Sequence, residues 1–164
     1  YIKAHHLKVD LLINNASILG ESPLKPLLDS SIENFHKTLH TNTIAPLSLI
    51  QKLEEHFSEK PVVININSDA GTAFYNKWGS YGASKSALNH ISQTLAIENP
   101  TWSVYSLDPG EMRTDMYQEA ASGEDISHIP LPEEEAVPFI IRLLRKRPES
   151  GRFSVNQKIE MESL

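Results

Sequence analysis

No cysteine occurs anywhere in the 164-residue sequence. That absence removes disulfides, thiolate metal sites and cysteine nucleophiles together. Glycine is sparse: Gly20, Gly71, Gly79, Gly82, Gly110, Gly123 and Gly151 are the only seven, and no two are separated by a single residue. A Gly-x-Gly cradle for phosphate at a helix N-terminus is therefore missing. Long apolar runs are missing too. Nothing approaches the ~20 residues that a membrane span needs, and no signal-peptide layout opens the chain. Positive charge is in the minority, 15 Lys and Arg against 21 Asp and Glu, for a formal charge of −6. Such a balance argues against a surface that tracks nucleic-acid phosphates. What remains is a soluble, cytoplasmic domain with no membrane or nucleic-acid partner expected. Its length suits one domain, since domains run to ~100–200 residues.

The apolar pattern alternates between two periods. Residues 9–13 are short, mostly apolar and followed by Asn14-Asn15, which reads as a buried strand. A loop with Pro23 and Pro26 comes next, and Ser30 or Ser31 then caps a helix with Glu33 in its first turn. Ile32, Phe35, Leu39, Leu49 and Leu53 keep a helical stripe to about Phe57, and Pro46 should kink or split it. Residues 62–66 are β-branched almost throughout and predict a central parallel strand ending at Asn67-Ser68. A helix over 80–98 stops at Asn99-Pro100, and a strand over 102–107 ends in Asp108-Pro109-Gly110. Glu133 to Glu135 read as the acidic start of a helix and Arg145 to Arg147 as its basic end, the polarity that the helix dipole favours. A last short strand is expected over 153–155. This alternation predicts a parallel α/β sheet covered on both faces. Ligands bind such sheets outside the carboxyl ends of the strands. Three of those ends are small or polar: Asn14-Asn15-Ala16-Ser17, Asn67-Ser68-Asp69 and Asp108-Pro109-Gly110.

Tyr81 and Lys85 stand four apart at the start of a helix, on one face and about a turn apart. A free phenol, with a pKa of ~10, transfers protons poorly at neutral pH. A neighbouring ammonium that lowers it by ~2 units must supply roughly 2.7 kcal/mol. So tuned, the phenol exchanges a proton with a carbonyl or alcohol oxygen, although Tyr-x-x-x-Lys alone also describes an ordinary helix-surface pair. Ser68 lies 13 residues before Tyr81 at a strand end, and Asn42 lies inside the preceding helix, where asparagine is a poor helix former.

With these residues in order, the chain resembles the short-chain dehydrogenase/reductase family from Asp10 to about Val155. Asn14-Asn15-Ala16-Ser17 looks like the family's Asn-Asn-Ala-Gly turn, and Asn65-Ile66-Asn67-Ser68 like the strand end that supplies its serine. Tyr81-x-x-x-Lys85 looks like its catalytic pair, and Pro109-Gly110-x-x-x-Thr114 like its cofactor loop. The resemblance implies a Rossmann-like, doubly wound parallel sheet. Tyr81 would be the general acid/base, Lys85 would lower its pKa and hold the nicotinamide ribose, and Ser68 would bond the substrate oxygen. Asn42 would bind a relay water. Asn15 and Ala16 would touch the adenosine ribose, and the loop of Pro109, Gly110, Met112 and Thr114 would cover the nicotinamide. The implied reaction is hydride transfer between NAD or NADP and a small carbonyl or alcohol compound. The implied assembly is a homodimer or homotetramer through helices 31–57 and 80–98. Residues 112–129 would be the substrate lid.

Three departures from the family pattern stand out. Ser17 replaces a glycine, which is tolerable if φ is negative there. Asn67 replaces a common serine. The glycine-rich opening turn is absent, so residues 1–164 are expected to be the C-terminal two-thirds of one domain, lacking its first three strands, with residues 1–7 as a helix tail. The strand over 9–13 would then be a bare apolar edge. An inactive fragment that only associates with a related subunit is the alternative expectation. His36 and His40 have zinc-site spacing, but Lys37 occupies the general-base position and no third ligand is apparent, so no metal is expected. Ser68, His90 and Asp108 lack the Gly-x-Ser-x-Gly elbow of a hydrolase.

Overall fold

The structure, a computed structural model, describes residues 2–156. The β-branched run 62–66 forms the inner half of a strand because branched side chains lose little freedom on a pleated surface. That strand, β2 (Phe57–Ile66), pairs on one side with β1 (Val9–Asn14) and on the other with β3 (Ser103–Asp108). β4 (Gly151–Ser154) completes a parallel sheet of order β1-β2-β3-β4. Successive side chains point to opposite faces. On one face Val62, Ile64, Ile66, Tyr105 and Leu107 pack against Phe139 and Leu143 of helix α5 (Ala136–Lys146). On the other, Val63 and Val104 meet Ile50 of α2 (Ala45–Leu53) and Leu95 of α3 (Gly79–Glu98). Both faces are thus covered, as the α/β pattern requires.

The long helix expected over 31–57 is divided. Ser31 caps α1 (Ile32–Leu39) by accepting the Asn34 amide at 3.0 Å. A π-helical turn follows at His40–Ile44, and α2 opens with Pro46 in its first turn. Proline has no N–H to return to the Asn42 carbonyl four residues back, so the ladder is re-paired there. Phe57 is not the end of that helix but the start of β2. Its ring stacks edge-on to Trp102 at 4.7 Å, which draws it into the sheet. The register slips between Val9↔Phe57 and Leu11↔Val62, an irregularity that accommodates Pro61 within β2.

Three further expectations are corrected. The acidic run precedes α5 rather than opening it. The Glu134 carboxylate accepts the Leu131 amide at 2.7 Å, closing a turn before the helix begins. The last strand lies at Gly151–Ser154, two residues earlier than expected, although the Val155 amide still bonds to the Asp108 carbonyl. The expected helix tail over 1–7 is a short 3₁₀ turn at Lys3–His5, and Tyr1 lies outside the described residues. A helix too short to show a period, α4 (Asp115–Ala120), forms within the expected lid. Thr114 caps it by accepting the Tyr117 amide.

Candidate active site

Parallel strands deliver their carboxyl ends to one side of the sheet, and the loops leaving β1, β2 and β3 border a single cleft of about 990 Å³. Asn15, Ala16, Ser68, Tyr81, Lys85, Pro109, Gly110, Met112 and Thr114 all line it. Asn42 does not. A buried relay of side chains ties the strand ends together. The Asn14 amide donates to Asn65 at 2.7 Å, Asn65 to the Ser92 hydroxyl at 2.9 Å, and Asn67 to the Ser106 hydroxyl at 2.9 Å. Asn67, where serine is usual, also accepts the Ser68 amide at 2.9 Å. Each satisfied partner stiffens the strand ends on which the site is built. Gly110 holds φ +72°, and a Cβ there would meet Val155 at 2.8 Å. Both facts demand glycine at that turn.

Tyr81 and Lys85 come from the first turns of α3. Tyr81 is 7% exposed, packed with Leu19 and Ala70 and edge-on to Trp78 at 5.6 Å. Burial pushes its phenol up to about 12, and the Asp69 and Asp108 carboxylates push the same way; the Ser68 and Ser17 hydroxyls facing it pull it down. The Lys85 ammonium lies 5.4 Å from the Tyr81 ring centroid and donates to the Ile66 carbonyl at 2.9 Å. Burial brings it down to about 8. Burial thus moves Tyr81 in the direction opposite to the expected lowering.

Lys85 carries a stability cost with a defined pH range. Its proton is held less tightly in the fold, at about 8, than at the ordinary value of 10.5. Between those pH values the unfolded chain binds more protons, so stability rises with pH through that window, and the whole cost is present below it. Lys85→Met is expected to stabilise the chain at pH 7 by on the order of 3 kcal/mol, less whatever the lost bond to Ile66 supplied. Near pH 10 the gain shrinks toward zero. Urea melts at the two pH values measure the difference, and a variant weaker than the parent at pH 7 contradicts it.

Asn42 is 1% exposed, and its side chain is wholly occupied. Its Oδ1 accepts the Ile18 amide at 2.8 Å, while its Nδ2 donates to the Ile18 carbonyl at 2.8 Å and to the Ser84 hydroxyl at 3.0 Å. It fixes the turn after β1 instead of reaching the cleft. Ser17 on that turn has no positive φ, and its buried hydroxyl has no hydrogen-bond partner among the described residues. Met116 and Ala120 of α4 pack against the Tyr81 cluster.

Two residues not picked out from the sequence belong to this site. Asp69 accepts the Ser68 hydroxyl at 2.9 Å and the Tyr75 hydroxyl at 2.6 Å. Arg152 of β4 donates to the Ser68 carbonyl at 3.2 Å and to the Asp108 carboxylate at 3.3 Å, tying three strand ends together. A charged residue within a parallel strand is a signal for such a role, since buried charge must be paired. Among the described residues no three His, Asp or Glu side chains gather as metal ligands, and no helix is long and apolar enough to cross a membrane.

A family model described as short chain dehydrogenase matches residues 1–125. The chain belongs to that family. A benzil reductase of Bacillus cereus that forms (S)-benzoin is 28% identical over 177 residues, covering 98% of this chain and 70% of its own. Sepiapterin reductase of Bos taurus is 37% identical over 114 residues, or 66% of this chain and 42% of the relative. An uncharacterised oxidoreductase of Saccharomyces cerevisiae is 33% identical over 112 residues, 68% of this chain and 43% of the relative. The part of this chain that matches therefore spans less than half the length of the yeast and bovine relatives. Among solved structures, a short-chain dehydrogenase from Escherichia coli complexed with NADPH has a TM-score of 0.87 at 25% identity, with 95% of this chain and 66% of that chain covered. A 4-hydroxyisoleucine dehydrogenase complexed with NADH has a TM-score of 0.76 at 26% identity, covering 93% and 70%. With reductases among its relatives, this chain is of an oxidoreductase family.

Proposed function

We propose that the full-length protein reduces a small carbonyl compound, or oxidises the matching alcohol, with Tyr81 as general acid/base. The observation that carries this reading is the convergence of Ser68, Tyr81 and Lys85 in one cleft at the strand ends. The cleft suits the nicotinamide-ribose end of NAD or NADP. A buried ammonium, a phenol and the orphaned Ser17 hydroxyl meet there, and Gly110 keeps its loop free of a side chain. No residues here match the pyrophosphate end, because no Gly-x-Gly cradle occurs among the 164. Lys85, Asn15 and Ala16, with the Pro109, Gly110, Met112 and Thr114 loop, would hold the cofactor, which supplies or accepts the hydride.

In the reducing direction the Tyr81 hydroxyl gives its proton to the carbonyl oxygen while Ser68 hydrogen-bonds the same oxygen. In the oxidising direction the phenolate takes the alcohol proton, and the Lys85 ammonium stabilises that phenolate. The Asn42 main chain, in the π turn, is where a water of the proton path would sit. Tyr75, Trp78, Met112, Met116 and Tyr117 give the cleft aromatic and thioether walls, which favour an apolar or aromatic carbonyl compound. Residues 112–129 act as the lid. The site lies in a cytoplasmic homodimer or homotetramer that packs through its long helices, where Leu49 and Ile97 are exposed.

Oxidation of NADH and NADPH by the full-length protein in the presence of benzil tests this reading; consumption of either cofactor supports it, and none with a panel of aromatic and aliphatic ketones opposes it. A second reading is favoured by the β1 edge, where Leu11 and Ile13 are each 39% exposed. There the 164-residue chain binds no cofactor and associates with a related subunit. Titrating it with NADPH while following Trp78 and Trp102 fluorescence separates the two: saturable binding supports the enzyme, and none supports the inactive chain.

A further inference from the structure

Four side chains, Ser17, Glu21, Arg113 and Arg152, keep a buried polar atom without a hydrogen-bond partner among the described residues. Three of them have another polar atom engaged. Glu21 pairs with Lys25 at 2.9 Å, Arg113 donates to the Ser127 carbonyl, and Arg152 donates to the Ser68 carbonyl and the Asp108 carboxylate. Ser17 has only its one hydroxyl, and of the four it alone borders the cleft. A buried hydroxyl left unpaired is destabilising, and native structures keep few of them without a reason.

The turn that carries Ser17 is fixed. The Ile18 amide and carbonyl are both bonded to the Asn42 side chain at 2.8 Å, Asn42 donates to the Ser84 hydroxyl at 3.0 Å, and Ser84 donates to the Tyr81 carbonyl at 2.7 Å. That chain of bonds locks the turn after β1 to the first turns of α3, which carry Tyr81 and Lys85. Lys85 has capacity to spare as well. Of its three ammonium protons, one is bonded among the described residues, to the Ile66 carbonyl at 2.9 Å. The cleft therefore presents two fixed groups, Ser17 and Lys85, whose hydrogen bonds await a ligand.

Their chemistry selects what they hold. A carbonyl oxygen of the substrate has two lone pairs, and in the proposed reduction Tyr81 and Ser68 fill both. Nothing is left on it for Ser17. A ribose offers neighbouring hydroxyls, each able to donate and to accept. One accepts from the Lys85 ammonium while the other exchanges a bond with Ser17. We propose that the Ser17 hydroxyl is a cofactor-binding group that bonds the ribose next to the nicotinamide. It stands where the family pattern has glycine, which has no side chain to supply that bond. The inference rests on the reading of the cleft as a nicotinamide site.

Removing the hydroxyl then acts in opposite directions on the empty and the occupied protein. Ser17→Ala in the full-length protein deletes an unpaired buried group, so its melting temperature without ligand should equal or exceed the parent's. Binding of whichever of NADH and NADPH the parent holds more tightly, followed by tryptophan fluorescence, should weaken by about two- to tenfold, the worth of one hydrogen bond between neutral groups. ADP-ribose keeps that ribose without the nicotinamide, and its competition with the cofactor should weaken by the same factor. ADP ends before that ribose and should compete equally with parent and variant. KM for benzil at saturating cofactor should not move. Equal affinity of parent and variant for ADP-ribose, or an equal loss with ADP, overturns the proposal. So does a lower melting temperature without ligand, which would show that the hydroxyl already has a structural partner. If the parent binds neither cofactor, the nicotinamide reading falls, and this inference with it.

Discussion

Tyr81→Phe in the full-length protein is expected to lower carbonyl reduction by about 10²–10⁴-fold, the usual contribution of a positioned proton donor. The fold should tolerate the change. Leu19, Ala70 and Trp78 contact the ring, and phenylalanine preserves that shape while deleting only the hydroxyl. Burial holds the phenol up to about 12, so at neutral pH it is the neutral, protonated form that a carbonyl reduction needs as donor. Turnover with benzil, set beside the melting temperature, checks the variant. A folded Tyr81→Phe protein with undiminished turnover would remove Tyr81 from the mechanism.

Asn42→Ala is expected to cost about 3–5 kcal/mol of stability. The substitution strands the Ile18 amide and carbonyl, both bonded to the Asn42 side chain, and removes a partner of Ser84, which is fully buried. Each buried polar group left unpaired costs roughly 1–3 kcal/mol, and water entering the small void recovers part of that. Asn42→Asp fares little better, since it keeps the acceptor but loses both donors and buries a charge. Ile18 joins Ser17 to Leu19, and Leu19 packs on Tyr81, so the loss also loosens the wall behind the phenol. Urea unfolding measures the effect. A loss below about 1 kcal/mol would show that the turn after β1 is held by something other than Asn42.

Much of this arrangement was legible in the sequence because it follows local rules. Short apolar runs ending in Asn, Ser or Asp marked the strands and their carboxyl ends, and the parallel-sheet rule then brought Asn15, Ser68 and Gly110 to one edge, while Tyr81 and Lys85, on a helix, joined them through the family resemblance. Pro46 announced the break in the long helix. What escaped depended on distance in sequence or on burial. Phe57 reads as the last residue of a helical stripe, and only its contact with Trp102 across the sheet makes it a strand residue. Arg152 reaches Ser68 across 84 positions, and no local pattern announces such a bond. Asn42 reads as a poor helix former with a use for its position in the helix, and that its side chain is taken up by Ile18 and Ser84 depends on contacts 24 and 42 positions away. The Tyr81 to Lys85 spacing gave the correct proximity, but spacing carries no information about desolvation, which pushes the phenol up.

The central claim is that this cleft transfers a hydride and a proton to a carbonyl group with Tyr81 as the proton donor. Incubating the full-length protein with benzil and reduced nicotinamide cofactor deuterated at C4, as NADH and as NADPH in both label positions, tests it most directly. Deuterium on the carbinol carbon of benzoin with one of these, and its loss in Tyr81→Phe, is the expected result. No label from any of them, or equal labelling by Tyr81→Phe, would contradict it.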